Sequence, residues 1–389
     1  MKARLLATVA ITAFVVAAAA MASHSPDWAQ FRNGPAHTGF NASEHSLSPA
    51  NVRRLRPAWT HRTSQPVWSS PAVVGTTVFI GSNDRRVYAL RASDGRQLWS
   101  APVGGRPAAP AVFRGMVYVF SDDARVTAFA LGGERRWSTV VSSLQGGYPA
   151  APTLAGSLLY VMAHGISAVD MYTGRIVWQR ELESFGSPVT VVGPRVYLGA
   201  IDVSRDPPAP ARMYALDRTI GSPVWSTPIA GRPVWTAPVS GNRVFLGSYT
   251  EVRGIKTFRL EAFDTADGHR HWRVPIGQSR VFTFTAPAVA GSRIVVPSPS
   301  GYLVAHDVTT GKRLWRTELP VASSAPAIAN GVVYVGSGDG NLNAYALTTG
   351  KKLWSARLGQ TAVNSSPTVV NGAVYVGSDD GNVVAFRRR

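Results

Sequence analysis

The sequence predicts an all-β protein: an eight-bladed β-propeller with four antiparallel strands in each blade. Three observations predict this fold. Only 16% of the 389 residues are charged, and 37 glycines with 27 prolines favour short strands and tight turns over helices. Tryptophan and proline both recur about 40 residues apart. Each interval holds four short apolar runs separated by turn residues, which is typical of a propeller blade.

Two residue types mark every unit of the repeat. The tryptophans are Trp59, Trp99, Trp137, Trp178, Trp225, Trp272, Trp315 and Trp354. The prolines are Pro71, Pro110, Pro152, Pro188, Pro238, Pro287, Pro326 and Pro367. One unit spans 324–359, with strands predicted over 325–328, 332–336 and 342–347 and a fourth at Trp354. Asn-Gly and Asp-Gly pairs separate these strands and supply the positive φ of tight hairpins.

The two ends of the repeat region predict how the ring closes. The last unit, 365–389, stops after its third strand. The missing outer strand is predicted at Leu55–Arg62, where Trp59 stands at the expected place. Such closure hides the strand edges that invite aggregation. We therefore expect residues 51–389 to form one domain.

The first residues have the pattern of a secretory signal peptide. Lys2 and Arg4 precede an apolar run over 5–20, and Ala20-Met21-Ala22 fits a cleavage site. The run is short for a membrane span, which needs about 20 residues. We expect residues 1–22 to be a signal peptide cut near Ala22 and 23–50 to be a lead-in, with an uncleaved anchor as the alternative. The expected location is periplasmic, cell-envelope or extracellular, and we do not expect an integral membrane protein.

Charge and cysteine content limit the classes of function. The formal net charge is +18, which suits a polyanionic partner or simply a scattered, solubilising arginine surface. The chain has no cysteine, which excludes disulfides, thiolate metal sites, cysteine nucleophiles and a lipid-modified cysteine. No block of five like charges occurs, and we expect no specific nucleic-acid partner.

A finer pattern recurs inside the units, as in Ala168-x-Asp170-x-x-Thr173-Gly174-x-x-x-Trp178. The eight repeated tryptophans are predicted to lie flat between neighbouring blades, where each contributes roughly 1.5–3 kcal/mol by burial. This spacing resembles the tryptophan-docking repeat of quinoprotein-like propellers, the pyrroloquinoline-quinone (PQQ) repeat family. The resemblance covers about residues 51–389. The stretch from Asp27 to Gly39 is similar to the lead-in of many exported members.

The resemblance implies two different functions. The family includes PQQ-dependent alcohol dehydrogenases and also non-enzymatic members, such as the barrel-assembly propeller lipoprotein. For the dehydrogenases it implies PQQ with Ca²⁺ in the central funnel and a carboxylate base. Many of those enzymes place a cysteine pair at the cofactor, which this chain does not have. No spacing marks a catalytic set, so no catalytic residue and no metal ligand is assigned.

Candidate binding residues converge on the face that carries the loops between blades. Trp68, Tyr148, Phe185, Trp235, Phe284 and Asn364 stand at or near the position three residues before the inner-strand proline. Arg106, Arg232 and Arg280 lie in the same kind of loop. Aromatic and guanidinium groups at a funnel mouth suit a flat or anionic ligand or a peptide. The alternative is packing of blade tops for the aromatics and a solvated rim for the arginines.

Two loops between second and third strands are predicted to be enlarged, at 201–212 and 249–259 in blades 4 and 5. Adjacent insertions on one face favour a ridge that binds a partner, and neutral loop drift is the alternative.

The sequence favours an exported, non-enzymatic binding or scaffold protein, monomeric and without a cofactor. Its expected partner is an envelope or extracellular protein, or an envelope polymer. The alternative is a PQQ-dependent quinoprotein oxidoreductase acting on an alcohol or sugar, and a weaker third hypothesis is a polyanion or glycan binder.

Overall fold

The computed structural model describes residues 27–143, 149–184, 187–204, 210–234, 236–280, 285–320 and 324–389. It confirms the eight-bladed propeller, with eight antiparallel sheets arranged as blades. The predicted signal peptide lies outside the described residues. In the described part of the chain no helix has the length and apolar character that a membrane span requires.

The described residues form thirty-five strands. Before the first blade come β1 (Phe40–Asn41) and β2 (Leu55–Arg62), with a 3-10 turn at Val52–Arg54 between them. Blade 1 holds β3 (Ala72–Val74), β4 (Thr77–Ser82), β5 (Arg86–Arg91) and β6 (Gln97–Pro102). Blade 2 holds β7 (Ala111–Phe113), β8 (Met116–Ser121), β9 (Arg125–Ala130) and β10 (Arg135–Val140). Blade 3 holds β11 (Thr153–Ala155), β12 (Leu158–Met162), β13 (Ile166–Asp170) and β14 (Ile176–Arg180).

The next blades carry small additions to the same plan. Blade 4 holds β15 (Leu182–Glu183), β16 (Thr190–Val192), β17 (Arg195–Asp202), β18 (Arg212–Asp217) and β19 (Pro223–Pro228). Blade 5 holds β20 (Arg232–Pro233), β21 (Val239–Ser240), β22 (Arg243–Val252), β23 (Ile255–Asp264) and β24 (Arg270–Ser279). Blade 6 holds β25 (Ala288–Ala290), β26 (Arg293–Ser298), β27 (Tyr302–Asp307) and β28 (Arg313–Glu318).

The last two blades complete the ring. Blade 7 holds β29 (Ala327–Ala329), β30 (Val332–Gly336), β31 (Asn341–Ala346) and β32 (Lys352–Arg357). Blade 8 holds β33 (Thr368–Val370), β34 (Ala373–Gly377) and β35 (Asn382–Arg388). Its outer strand is β2, which pairs antiparallel with β35 from Leu55 opposite Arg388 to Arg62 opposite Asn382. The predicted closure is therefore confirmed, with the predicted bounds.

The docking tryptophans are confirmed as structural. Each indole nitrogen donates a hydrogen bond to a carbonyl of the next blade, as from Trp178 to Arg218 O at 3.0 Å and from Trp354 to Leu55 O at 3.2 Å. Seven of the rings, all except that of Trp354, also lie against the turn glycine of that blade. A Cβ on Gly221, whose φ is +70°, would stand 2.5 Å from Trp178 Cε3. The repeated Gly–Trp spacing thus encodes contact between blades.

The prediction of a loop at 249–259 is wrong. These residues continue two strands, β22 and β23, whose pairing extends from Arg243 opposite Asp264 to Val252 opposite Ile255. The turn consists of Arg253 and Gly254, both with positive φ. A two-residue turn of this kind matches the twist of the strands it joins. At the other enlarged segment, β17 ends at Asp202 and β18 begins at Arg212, close to the predicted bounds of 201–212. Residues 205–209 lie outside the described residues.

The lead-in runs inside the ring and not before it. Between Trp28 and Asn41 the lead-in forms hydrogen bonds with the inner strand of each blade in turn. The pairs are Trp28 with Val73, Ala29 with Val112, Gln30 with Leu154, Pro35 with Val191, Ala36 with Val239, Thr38 with Val289, Gly39 with Ile328 and Asn41 with Val369. In addition, β1 pairs parallel with β29. One short segment therefore ties all eight blades together from within.

Buried side chains of the lead-in fill the lower part of the channel. Arg32 is 2% exposed and His37 is fully buried. The guanidinium of Arg32 donates to the carbonyls of His37, Pro287 and Pro326, so it bonds to neutral oxygens only. Burial lowers the pKa of Arg32 to about 9 and that of His37 to about 3. Each of the three nitrogens of the guanidinium thus donates one hydrogen bond to a backbone carbonyl.

Candidate binding site at the funnel mouth

The top face carries the loops that join one blade to the next and the turns between second and third strands. On it, five residues from blades 8, 1 and 2 come together, and we call them the funnel-mouth cluster. They are Trp68, Arg106, Asp122, Asn364 and Asp379. Three of them, Trp68, Arg106 and Asn364, are residues that the sequence nominated.

Arg106 is held by a carboxylate and an aromatic ring. Its Nε donates to Asp122 Oδ2 at 2.6 Å, and its backbone N–H donates to Asp122 Oδ1 at 2.7 Å. The guanidinium carbon stands 5.8 Å from the ring centroid of Trp68, within the range of a cation–π contact. The Arg106 side chain is still 41% exposed, so part of its fork faces solvent. The result is an oriented cation beside a half-buried indole.

Asp379 is the second polar centre of the cluster. Its Oδ2 accepts a hydrogen bond of 2.6 Å from Asn364 Nδ2. Burial raises the pKa of Asp379, and the hydrogen bonds from Asn364 and Trp68 lower it only in part. Because Asn364 is exposed, its amide oxygen remains open to a partner. Arg106 and Asn364 together offer a donor and an acceptor on either side of the Trp68 ring.

Local packing fixes the loops that carry these side chains. After the mouth position a serine anchors the loop: Ser69 Oγ accepts from Gly81 N–H at 3.0 Å, and Ser365 Oγ accepts from Gly377 N–H at 2.9 Å. Blade 8 is tied to blade 1 by Ser366 N–H, which donates to Ser70 Oγ at 2.9 Å. Fixed loops lose little entropy when a partner binds.

The other nominated residues do not join the cluster. Arg232 and Arg280 are exposed and flank the long hairpin of blade 5, where Arg232 lies opposite Tyr249 and Arg280 O accepts from Lys256 Nζ at 3.4 Å. Blades 5 and 6 lie across the ring from Arg106. Four nominated aromatics lie outside the described residues: Tyr148, Phe185, Trp235 and Phe284.

Sequence reasoning missed the two aspartates of the cluster. Both stand in a turn that repeats between second and third strands, Ser121-Asp122-Asp123 and Ser378-Asp379-Asp380. In blade 2 the serine and second aspartate close the turn, because Ser121 Oγ donates to Asp123 Oδ1 at 2.6 Å. In blade 8 the second aspartate, Asp380, accepts from Gln360 N–H and Thr361 Oγ1. The first aspartate is left to face the mouth. The repeated Ser-Asp-Asp sequence could have identified both aspartates as residues of the mouth.

The described part of the mouth does not fit a quinone with a metal ion. It holds no group of three or more metal-ligating side chains. Its two inward carboxylates are already bonded, Asp122 to Arg106 and Asp379 to Asn364. Hard cations such as Ca²⁺ need several oxygen ligands at one point. We therefore derive no step through such a cofactor.

Comparison with solved structures agrees with this fold. The BamB structure from Moraxella catarrhalis matches with a TM-score of 0.66 and 18% identity over 86% of this chain and 97% of that one. Quinohemoprotein alcohol dehydrogenase from Comamonas testosteroni matches with a TM-score of 0.75 and 16% identity over 94% of this chain and 81% of that one. At these identities the likeness concerns the fold alone.

Comparison of sequences indicates the family. An outer membrane protein assembly factor BamB from Yersinia pestis is 25% identical over 266 residues, which cover 64% of this chain and 63% of that protein. The chain spans between 32% and 65% of the length of the curated relatives it matches. The family model described as outer membrane protein assembly factor BamB matches residues 46–182 and 163–389. The protein therefore belongs to this family of PQQ-repeat β-propellers.

Proposed function

We propose that the protein is a non-enzymatic scaffold of the cell envelope whose funnel mouth binds an extended segment of an outer membrane protein or of its assembly machinery. The observation that carries the proposal is the funnel-mouth cluster, in which three neighbouring blades place an oriented cation, an indole and an amide side by side. The family name supports the class of partner.

The closed channel favours a docking surface over a passage. Trp28, Arg32 and His37 fill the lower channel, so a partner meets the mouth as a shallow floor. An extended peptide presents alternating N–H and C=O groups, which Asn364 and Arg106 match, while the Trp68 ring packs against an apolar side chain. The long hairpin of blade 5 provides a wall on the opposite side of the same face.

Export through the predicted signal peptide completes the proposal. Cleavage near Ala22 would deliver residues 23–389 to the compartment where outer membrane proteins pass on their way to the membrane.

The test is site-specific photo-crosslinking in the native host. A photoreactive residue replaces Asn364, which is the exposed member of the cluster, while Trp68 and Arg106 remain in place. A control carries the photoreactive residue at Arg175, which is exposed in the turn between the third and fourth strands of blade 3. Mass spectrometry identifies the adducts. We expect adducts with outer membrane proteins or their assembly factors at Asn364. At Arg175 the yield of these adducts should be lower by at least about fivefold.

Equal yields of those adducts at both positions would contradict the proposal, as would adducts confined to proteins outside the envelope. A third variant combines the crosslinker at Asn364 with Trp68→Ala and Arg106→Ala. The proposal predicts that its adducts fall to the level of the Arg175 control.

A further inference from the structure

A second surface lies on the bottom face, where the turns between first and second strands and between third and fourth strands are found. Seven exposed basic residues meet there at the seam between blades 7 and 8, and we call them the seam patch. They are Arg53, Arg54, Arg56, Lys351, Lys352, Arg388 and Arg389. In sequence they come from three separate stretches of the chain.

Ring closure brings the three stretches together. Leu55 pairs with Arg388, and Arg389 N–H lies 3.5 Å from Arg54 O, so the C-terminal arginines run beside the 3-10 turn. That turn also contacts β32, and Trp354 Nε1 donates to Leu55 O at 3.2 Å. Lys351 and Lys352 therefore stand next to the arginines of the neighbouring blade.

The charge of the seam patch is not neutralised by the protein. Among the described residues none of the seven takes part in an ion pair. Arg56 and Arg388 donate only to backbone carbonyls. The nearby Glu44 is buried and accepts from the backbone N–H groups of Ser46, Leu47 and Gly372. Concentrated like charge of this kind attracts an extended anionic surface.

The expected export of the chain indicates which anionic surface. An exported protein passes a bilayer and meets its anionic headgroups, which form an extended surface of opposite charge. The three stretches of the seam patch lie side by side on one face of the ring, as contact with such a surface requires.

We propose that the seam patch binds the anionic headgroups of a lipid bilayer and holds the propeller with its bottom face on the membrane. The funnel mouth then faces away from the bilayer. This inference is independent of the partner at the mouth, because the two surfaces lie on opposite faces and share no residue. Clusters of four to eight Lys and Arg are attracted to anionic lipid headgroups, and each contributes about 1 kcal/mol near the surface.

The experiment uses residues 23–389, which contain every described residue and lack the apolar run. Vesicles of phosphatidylcholine with 30% phosphatidylglycerol, roughly the anionic fraction that polybasic segments recognise, are compared with pure phosphatidylcholine by co-sedimentation at several salt concentrations. The test variant is Arg53→Gln, Arg54→Gln, Lys351→Gln and Lys352→Gln. The matched control removes the same charge from the top face, as Arg62→Gln, Arg85→Gln, Arg253→Gln and Arg280→Gln.

We expect salt-sensitive binding to anionic vesicles that is at least about tenfold weaker in the seam variant and within about twofold of wild type in the control. Thermal unfolding of all three proteins checks that folding is intact, since the seam residues substituted are exposed. Equal loss in both variants would show an effect of net charge alone and overturn the proposal. Retention on a soluble sulfated polymer without vesicle binding would overturn it too and assign the patch to a polyanion.

Discussion

At the scale of single residues, the channel of this propeller is lined with polar groups that belong to the lead-in. His37 is the clearest example: its Nε2 lies 2.9 Å from Thr153 Oγ1, which itself donates to Val189 O at 2.7 Å. The hydroxyl is thus free to accept a hydrogen bond from the imidazole, and burial, by lowering the pKa of His37, favours the neutral ring. A neutral buried histidine makes folding sensitive to acid.

His37 predicts a defined pH dependence of stability. Burial lowers its pKa in the folded state to about 3, below the ordinary 6.5. The unfolded chain therefore takes up the proton first, and the contribution of His37 is present above about pH 6.5 and lost as the pH falls. We expect wild type to lose roughly 1.4 kcal/mol for each pH unit below 6 relative to His37→Gln. Urea unfolding between pH 7 and 4.5 measures this.

The exposed His45 provides the control for that measurement, because His45→Gln changes a histidine outside the channel. Its stability should follow wild type at every pH. If the His37→Gln variant followed wild type as well, the imidazole would not be the buried neutral group described here.

At the scale of elements, two sets of contacts hold neighbouring blades together. The docking tryptophans join the outer strands, and the lead-in joins the inner strands. Trp178 illustrates the first, with its indole bonded to Arg218 O and its ring 6.0 Å from that of Tyr160. We expect Trp178→Leu to cost about 2–4 kcal/mol, since it removes a hydrogen bond and leaves a cavity between blades. Val177→Ala on the same strand, where Val177 is 51% exposed, should cost less than about 1 kcal/mol. Denaturant unfolding compares the two.

The lead-in predicts a sharper contrast between two glycines. Gly39 has a φ of +65°, and a Cβ there would stand 2.7 Å from Arg32 Nη2 and 3.0 Å from Pro326 O. Gly75 has a φ of +56° with no atom within 4 Å of such a Cβ. Gly75→Ala should therefore cost about 1–2 kcal/mol for the backbone alone. Gly39→Ala should cost about 1–3 kcal/mol more, because the channel is already filled.

Differential scanning calorimetry of the two alanine variants tests whether the lead-in packs inside the ring. Equal melting temperatures would mean that Gly39 has as much free space as Gly75. That result would be incompatible with the bonds between the lead-in and all eight inner strands.

Elements that repeat were predictable from the sequence, and elements that occur once were not. Trp59 and the seven other docking tryptophans recur in register, so their role and the strand order follow from spacing. The path of Trp28 to Asn41 depends on contacts with residues up to 328 positions away, as in the bond from Asn41 Nδ2 to Val369 O. No local pattern reports such contacts.

The funnel-mouth cluster was likewise predictable from the sequence only in part. Trp68 and Asn364 were identified because each stands three residues before an inner-strand proline, and the repeat places that position on the top face. Asp122 and Asp379 were missed because only the two enlarged segments between second and third strands were considered, and the short turns of blades 2 and 8 were not. The hairpin of blade 5 was misassigned because length alone does not separate a loop from two paired strands.

At the scale of the whole molecule, the ring presents two different faces. The top face carries Trp68, Arg106 and Asn364 around a floor closed by the lead-in, and the bottom face carries the seam patch. A rigid ring keeps these faces opposed at a fixed separation. The central claim is that the funnel mouth is a docking surface for an extended protein segment.

The most direct measurement of that claim is equilibrium binding of a fluorescent peptide from an outer membrane protein of the host, read by anisotropy. Wild type, the Trp68→Ala and Arg106→Ala double variant, and the four-residue seam variant are compared. We predict saturable binding to wild type, a loss of at least about tenfold in the double variant, since anchors of this kind each cost more than about 1 kcal/mol, and no change in the seam variant. Equal affinity in all three proteins would contradict the account.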